Sequence, residues 1–159
     1  MAKKRLQGTR LKRSASAPTP GTPDVQAVRL AHALQALAHG LPNPWDESTD
    51  FFHQFTALLP ATTKLDPESF RAALDIGARF EIVLSSGDQA LAKLANAEAD
   101  LGKDIAGGFR QLRVVMRGTL KGLTLAFARG KGVVRVRVWL FGRTKDGTLV
   151  GLHSLSTET

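Results

Sequence analysis

The sequence predicts a mixed α/β domain that ends in a β-hairpin and is preceded by a basic arm. Three observations carry this expectation. Two stretches set apolar residues at helical spacing, Leu30, Leu34, Leu37 and Leu41, then Phe109, Leu112, Met116 and Leu120. A third, VVRVRVWLFG, alternates with a period of two and runs into the turn TKDGT. A 3.6-residue period buries one stripe of a helix and a two-residue period one face of a strand.

Composition bounds the class. A chain of 159 residues, 43% of them hydrophobic, is long enough to bury a core as one domain without disulfides or metals. Cysteine is absent, which excludes a disulfide framework, a thiolate metal site and a cysteine nucleophile, and agrees with a reducing compartment. No apolar run approaches the roughly 20 residues of a membrane helix, and the first residues lack a secretory apolar stretch. The expectation is a soluble, cytoplasmic protein that engages no membrane.

The formal charge of +8 is unevenly spread. Residues 1–24 carry Lys3, Lys4, Arg5, Arg10, Lys12 and Arg13 against Asp24 alone, followed by a Ser/Ala/Pro/Thr/Gly run. Such a composition cannot bury enough apolar surface to offset chain entropy, so 1–24 is expected to be a disordered arm and 25–159 the folded domain. The arm suits polyphosphate or an address receptor, or is simply a solvated tail.

From Val25 the pattern turns helical, and Gly40 supplies a stop signal. The loop LPNPWDEST follows, with an acidic knuckle, Asp46, Glu47 and Ser48, in an otherwise basic chain. On spacing alone, Asp46 or Ser48 reads as the N-cap of a helix begun by TDFFHQF. The stretch 66–94 is ambiguous: ESFRAALDI alone makes a reasonable helix, while ARFEIVLSSGD reads as strand, turn and a helix start at Ser86–Asp88. Gly102, Gly107 and Gly108 match neither phosphate-binding spacing and read as loop. The helix of Phe109, Leu112, Met116 and Leu120 frays at Gly118 and Gly122.

In the hairpin, Val134, Val136, Val138 and Leu140 point to a core while Arg135, Arg137 and Trp139 point away. Gly147 is free to take positive φ in the turn, and TLVGLHSLSTET returns as the second strand. Glu158, Thr159 and the terminal carboxylate make a second oxygen-rich point.

Catalytic chemistry is not legible. His32 and His39 lie at i, i+7 on one helix face, but neither they nor His53 and His153 form a metal-ligand motif, so they read as surface or partly buried histidines. No nucleophile, carboxylate pair or metal cluster is recognisable, and the chain is expected to be neither an enzyme nor the holder of a metal or cofactor of its own. Trp139 with Arg135 and Arg137 offers a nucleic-acid surface, against the simpler reading of a solvated sheet face.

Stretches at both ends of the domain resemble the nuclease A inhibitor family, small proteins that block sugar-non-specific ββα-metal nucleases. FRQLRVVMRGTL is similar to that family's last helix, and VRVWLFGRTKDGTLVGLHSLSTET to its terminal hairpin with the closing Glu-Thr. LQALAHGL resembles its first helix, and ESTDFFHQF its E-S-x-x-x-F-x-x-F element, with Glu47, Ser48, Phe52 and Phe55 in register. GARFEIVLSSGDQALAKL matches an internal strand and helix start more loosely, so the resemblance covers 26–159.

The resemblance implies a three-layer α/β/α sandwich with its C-terminal hairpin, in which ESFRAALDI is a strand. It also implies a partner, a non-specific nuclease whose catalytic Mg²⁺ is reached through its water shell. Glu47 would be the principal plug and Thr159 the second, with Ser48, Asp46 and Glu158 in support. NAEADLGKDIAGG departs from the family's acidic, tryptophan-containing contact loop, and the basic arm is unexpected in a substrate mimic. The alternative is a small nucleic-acid-binding protein using Lys3, Lys4, Arg5, Arg10, Lys12, Arg13, Arg135 and Arg137, with the last helix's Arg110, Arg113 and Arg117.

Overall fold

The computed structural model describes residues 24–45, 51–132 and 135–157, with backbone alone for 135, 156 and 157. The arm residues Lys3, Lys4, Arg5, Arg10, Lys12 and Arg13 therefore lie outside the described residues.

Helix α1, Val25–Leu37, buries Ala27, Ala31 and Leu34, and Ala38 continues that stripe. The expected leucine stripe is present but rotated. Leu30 and Leu37 pack partly buried at its margins, because the small alanines let the helix lie close to its neighbours.

Strand β1, His53–Ala57, stands where a helix was expected from TDFFHQF. Pairing with another strand supplies this segment's backbone partners, so sheet context overrides the capping signal.

Helix α2, Pro67–Leu74, overturns the strand that family resemblance implied for ESFRAALDI. The local chemistry is decisive. The Asp66 carboxylate accepts from the Ser69 backbone N–H at 2.8 Å, and Ser69 Oγ accepts from the Asp66 N–H at 2.9 Å. This reciprocal cap, with Pro67 at the first position and Asp75 in the left-handed region at the end, satisfies the free groups of a short helix. The backbone bond from Ser69 also holds the Asp66 carboxyl below its ordinary range.

Strand β2, Phe80–Ser86, runs directly into helix α3, Gly87–Ala95, where Ser86 Oγ accepts from the Gln89 N–H at 3.1 Å. The strand and the helix start read from ARFEIVLSSGD occur at these positions, but without the expected turn between them, because Ser86 ends the strand and caps the helix at once. After the short α4, Glu98–Leu101, comes α5, Lys103–Thr119. Gly107 and Gly108 are inside α5 rather than in a loop. A Cβ on Gly108 would come within 2.6 Å of Leu41 Cδ2, so glycine permits the helix to approach the residues after α1.

Strand β3, Lys121–Gly130, was not anticipated; strands β4, Arg135–Arg143, and β5, Leu149–Thr157, are the expected hairpin. The sheet is wholly antiparallel in the order β1-β5-β4-β3-β2.

Helices cover both sheet faces. On one, α1, α3 and α5 bury Leu34, Leu91, Phe109, Leu112 and Met116 against Leu125, Val136, Val138, Leu140, Val150 and Leu152. On the other, α2 sets Phe70 against Trp139 and Phe141, with ring centroids 5.2 and 5.1 Å away. Val136, Val138 and Leu140 point to the helical core as expected. Trp139 does not face solvent: it is 1% exposed in this second core.

The β4–β5 turn has one conformation available. Gly147 sits at φ +97°, and a Cβ there would lie 2.5 Å from the Ala61 nitrogen and closer still to the Leu59 carbonyl oxygen. Arg143 completes the clamp, donating to the carbonyls of Thr63 at 2.9 Å and Pro60 at 2.7 Å. Gly147→Ala is expected to lower the urea midpoint by at least ~2 kcal/mol in stability without changing the slope, since left-handed strain alone costs about 1–2 kcal/mol.

Candidate functional site

The knuckle residues Asp46, Glu47 and Ser48, and the terminal Glu158 and Thr159, lie outside the described residues. What the fold shows is how their flanks are held. Pro42 bridges Phe51 in an antiparallel pair across 46–50. The Trp45 N–H donates to Asn43 Oδ1 at 3.1 Å, and Asn43 is buried. Trp45 meets Phe52 edge-on at 6.0 Å, and Phe52 belongs to the helical core. Both flanks of the segment are thus anchored in packed structure, while Phe51 stays 58% exposed.

Strand β1 is gripped on two sides. Its backbone pairs His53 with His153 and Ala57 with Leu149 on β5. From α1, Gln35 Oε1 accepts from the Gln54 N–H at 2.8 Å, and the Gln54 amide lies 3.2 Å from His32 Nε2. Because the two strands are antiparallel, the beginning of β1 and the end of β5 occupy one end of the sheet. Thr157 is four positions beyond His153, or about 13 Å of strand.

The first described residue, Asp24, is at the other end. It lines a groove of about 490 Å³ with Gln26, Leu30, Thr119, Thr144, Lys145 and Asp146, beside the β4–β5 turn. The nine residues of β5 separate that turn from Thr157 by roughly 26 Å.

Two hollows flank the pole where β1 begins. One, about 270 Å³, is lined by Gln35, His39, Phe51, Phe52 and His53. The other, about 420 Å³, lies between Trp45 and α3, with Leu125 and Phe127 in its floor and Gln89 and Lys93 on its rim. Among the described residues no group of three His, Asp or Glu side chains is placed to hold a metal ion.

The arginines of the last helix bond to α3 across the surface. Arg113 Nε donates to Asp88 Oδ1 at 2.9 Å and its Nη2 to Oδ2 at 3.3 Å. Arg117 Nε lies 3.6 Å from the same carboxylate, and Arg110 donates to the Ala95 carbonyl at 2.8 Å. These arginines tie α5 to α3, while Arg110 and Arg117 stay exposed. The Arg113 bond holds the Asp88 carboxyl below its ordinary range and raises the guanidinium's pKa in return.

On β4, Arg137 lays its guanidinium 4.8 Å over the Trp139 ring. The indole, buried beneath it, offers no platform to an incoming base. The side chain of Arg135 lies outside the described residues. Sequence reading missed the meeting of His53 with His153: the rings are 5.9 Å apart although the residues are separated by 100 positions. Only the strand register could have found that pair.

No family model matches the chain, and no curated protein does. Among the described residues no helix is long and apolar enough to cross a membrane.

A carboxylate with a depressed pKa contributes stability above its unfolded value of about 3.9 and loses it as pH falls through the lower folded value. Asp88→Asn should therefore lower the urea midpoint modestly near neutral pH. The difference should vanish in acid, where the parent's Asp88 is protonated, which a pH series of urea melts would measure.

Proposed function

We propose that the chain is a protein inhibitor of a non-specific, Mg²⁺-dependent nuclease and is not itself an enzyme. The acidic knuckle and the C-terminus would enter the partner's active site together. One observation carries this reading, the antiparallel register of β1 with β5, in which His53 at the start of β1 faces His153 at the middle of β5, so that the chain before β1 and the last four residues of β5 run toward the same end of the sheet. A plug of two segments far apart in sequence requires such an arrangement, because both must leave the scaffold from the same end.

The chemistry is that of hard ions. Mg²⁺ prefers oxygen ligands, keeps several of its waters, and releases them reluctantly. A carboxylate that accepts from those waters can occupy the place of a phosphate without stripping the metal. In this reading Glu47 supplies that carboxylate and Thr159 a second set of oxygens, with Asp46, Ser48 and Glu158 as supporting contacts. The anchored flanks, Pro42 to Phe51 and Trp45 to Phe52, favour it because fixing the two ends of a segment lowers the entropy lost when it binds.

The test is digestion of plasmid DNA by a ββα-metal nuclease with increasing inhibitor, at fixed and ample Mg²⁺. Stoichiometric inhibition is expected for the parent chain. Glu47→Ala and deletion of Thr159 should each weaken it at least tenfold while leaving the urea midpoint unchanged. Protection that persists in both variants would refute the plug.

A further inference from the structure

The second face of the sheet is covered only in part. Helix α2 closes it over Phe141, Trp139 and Leu149. From Trp139, under that helix, the register continues as a transverse row to His153 and His53 on β5 and β1, with Arg137 opposite Leu155 in the next row. His53 and Leu155 are exposed, and His153 and Arg137 partly so. The Phe55 ring supports His153 edge-on at 6.3 Å.

Among the described strand residues, this face carries a cation and no carboxylate. Of all residues in the five strands, Glu81 is the sole carboxylate, and it pairs with Arg129 and alternates away from Phe80 and Ile82, toward the helical side. Of the carboxylates near α2, Asp66 is tied to the N-cap and Glu68 lies beside Arg71 at 3.7 Å, while Asp75 is exposed and ends the helix through its backbone N–H.

We propose that this open end of the face binds single-stranded nucleic acid, with His53 and His153 as stacking surfaces and Arg137 as the phosphate-binding cation. The planar rings decide the occupant. An acidic peptide would use the charge but leave two imidazoles without purpose, and a duplex hides its base faces from them. A single strand uses both. The row from Trp139 to His53 crosses two strand spacings, roughly 10 Å, and the Arg137 guanidinium is held in place by the indole beneath it. The proposal needs neither the arm nor the inhibitor reading. It keeps Arg137 from the basic residues noted in the sequence and replaces Trp139 with two histidines.

Fluorescence anisotropy of a labelled oligothymidylate, titrated with the full chain at several salt concentrations, tests it. His53→Ala with His153→Ala is expected to weaken binding by about tenfold, the scale of losing one or two stacked bases. Arg137→Lys, which retains charge and solubility, should weaken it less and flatten no part of the salt dependence, whereas Arg137→Ala should reduce the salt slope by about one. Glutamine at Lys3, Lys4, Arg5, Arg10, Lys12 and Arg13 together should lower overall affinity but preserve the tenfold histidine effect. Urea midpoints confirm that each variant is folded. The proposal is overturned if the folded histidine variant binds like the parent, if the arm substitutions remove all binding, or if duplex DNA or polyglutamate competes as well as the single strand.

Discussion

Burial of β4 on both faces is the constraint on which the rest of the structure depends. Val136, Val138 and Leu140 go into the core under α1, α3 and α5, while Trp139 and Phe141 go into the core under α2. A strand with one solvated face would require only one helical layer. Here the aromatic residues on the second face must also be desolvated, each with an area large enough to dominate local energetics. Helix α2 meets that need with a single fully buried side chain, Phe70, seated against both rings. The loop leading to it is held by Arg143 from the end of the same strand.

With β4 central, its neighbours follow. The tight turn at Gly147 delivers β5 alongside, and β5 in turn receives β1, the strand farthest from it in sequence. This last pairing makes the two ends of the sheet unlike. One end of the sheet holds the anchored flanks of residues 46–50 and the final described residue, Thr157. The other holds the β4–β5 turn and the described start of the chain. The two basic features noted in the sequence have different fates: the arginines of α5 are consumed in tying helices together, while Arg137 rests on an aromatic ring at an open surface.

The departures from expectation have physical causes. Family resemblance implied a strand at ESFRAALDI, yet the composition already contained a complete helical signal in Asp66, Pro67 and Ser69. Local hydrogen bonds that satisfy both ends of a short helix are hard for a sheet to displace. The reverse held at HQFTA. There the apparent cap preceded a segment whose backbone finds its partners 100 positions away on β5, and no local term could compete.

By itself, the sequence determined the helical stripes around Leu34 and Leu112, the strand-to-helix junction at Ser86, the hairpin and its glycine turn. These depend on neighbours within a few positions, whose periodicity and turn chemistry are written in the chain. It also set the position of the acidic knuckle and the uneven charge. Only the tertiary structure decided that β1 pairs with β5, that Trp139 is buried, that Asp88 takes up Arg113 and Arg117, and that His53 meets His153. Each of those contacts joins residues many positions apart, and the choice of partner depends on which apolar faces must be buried together.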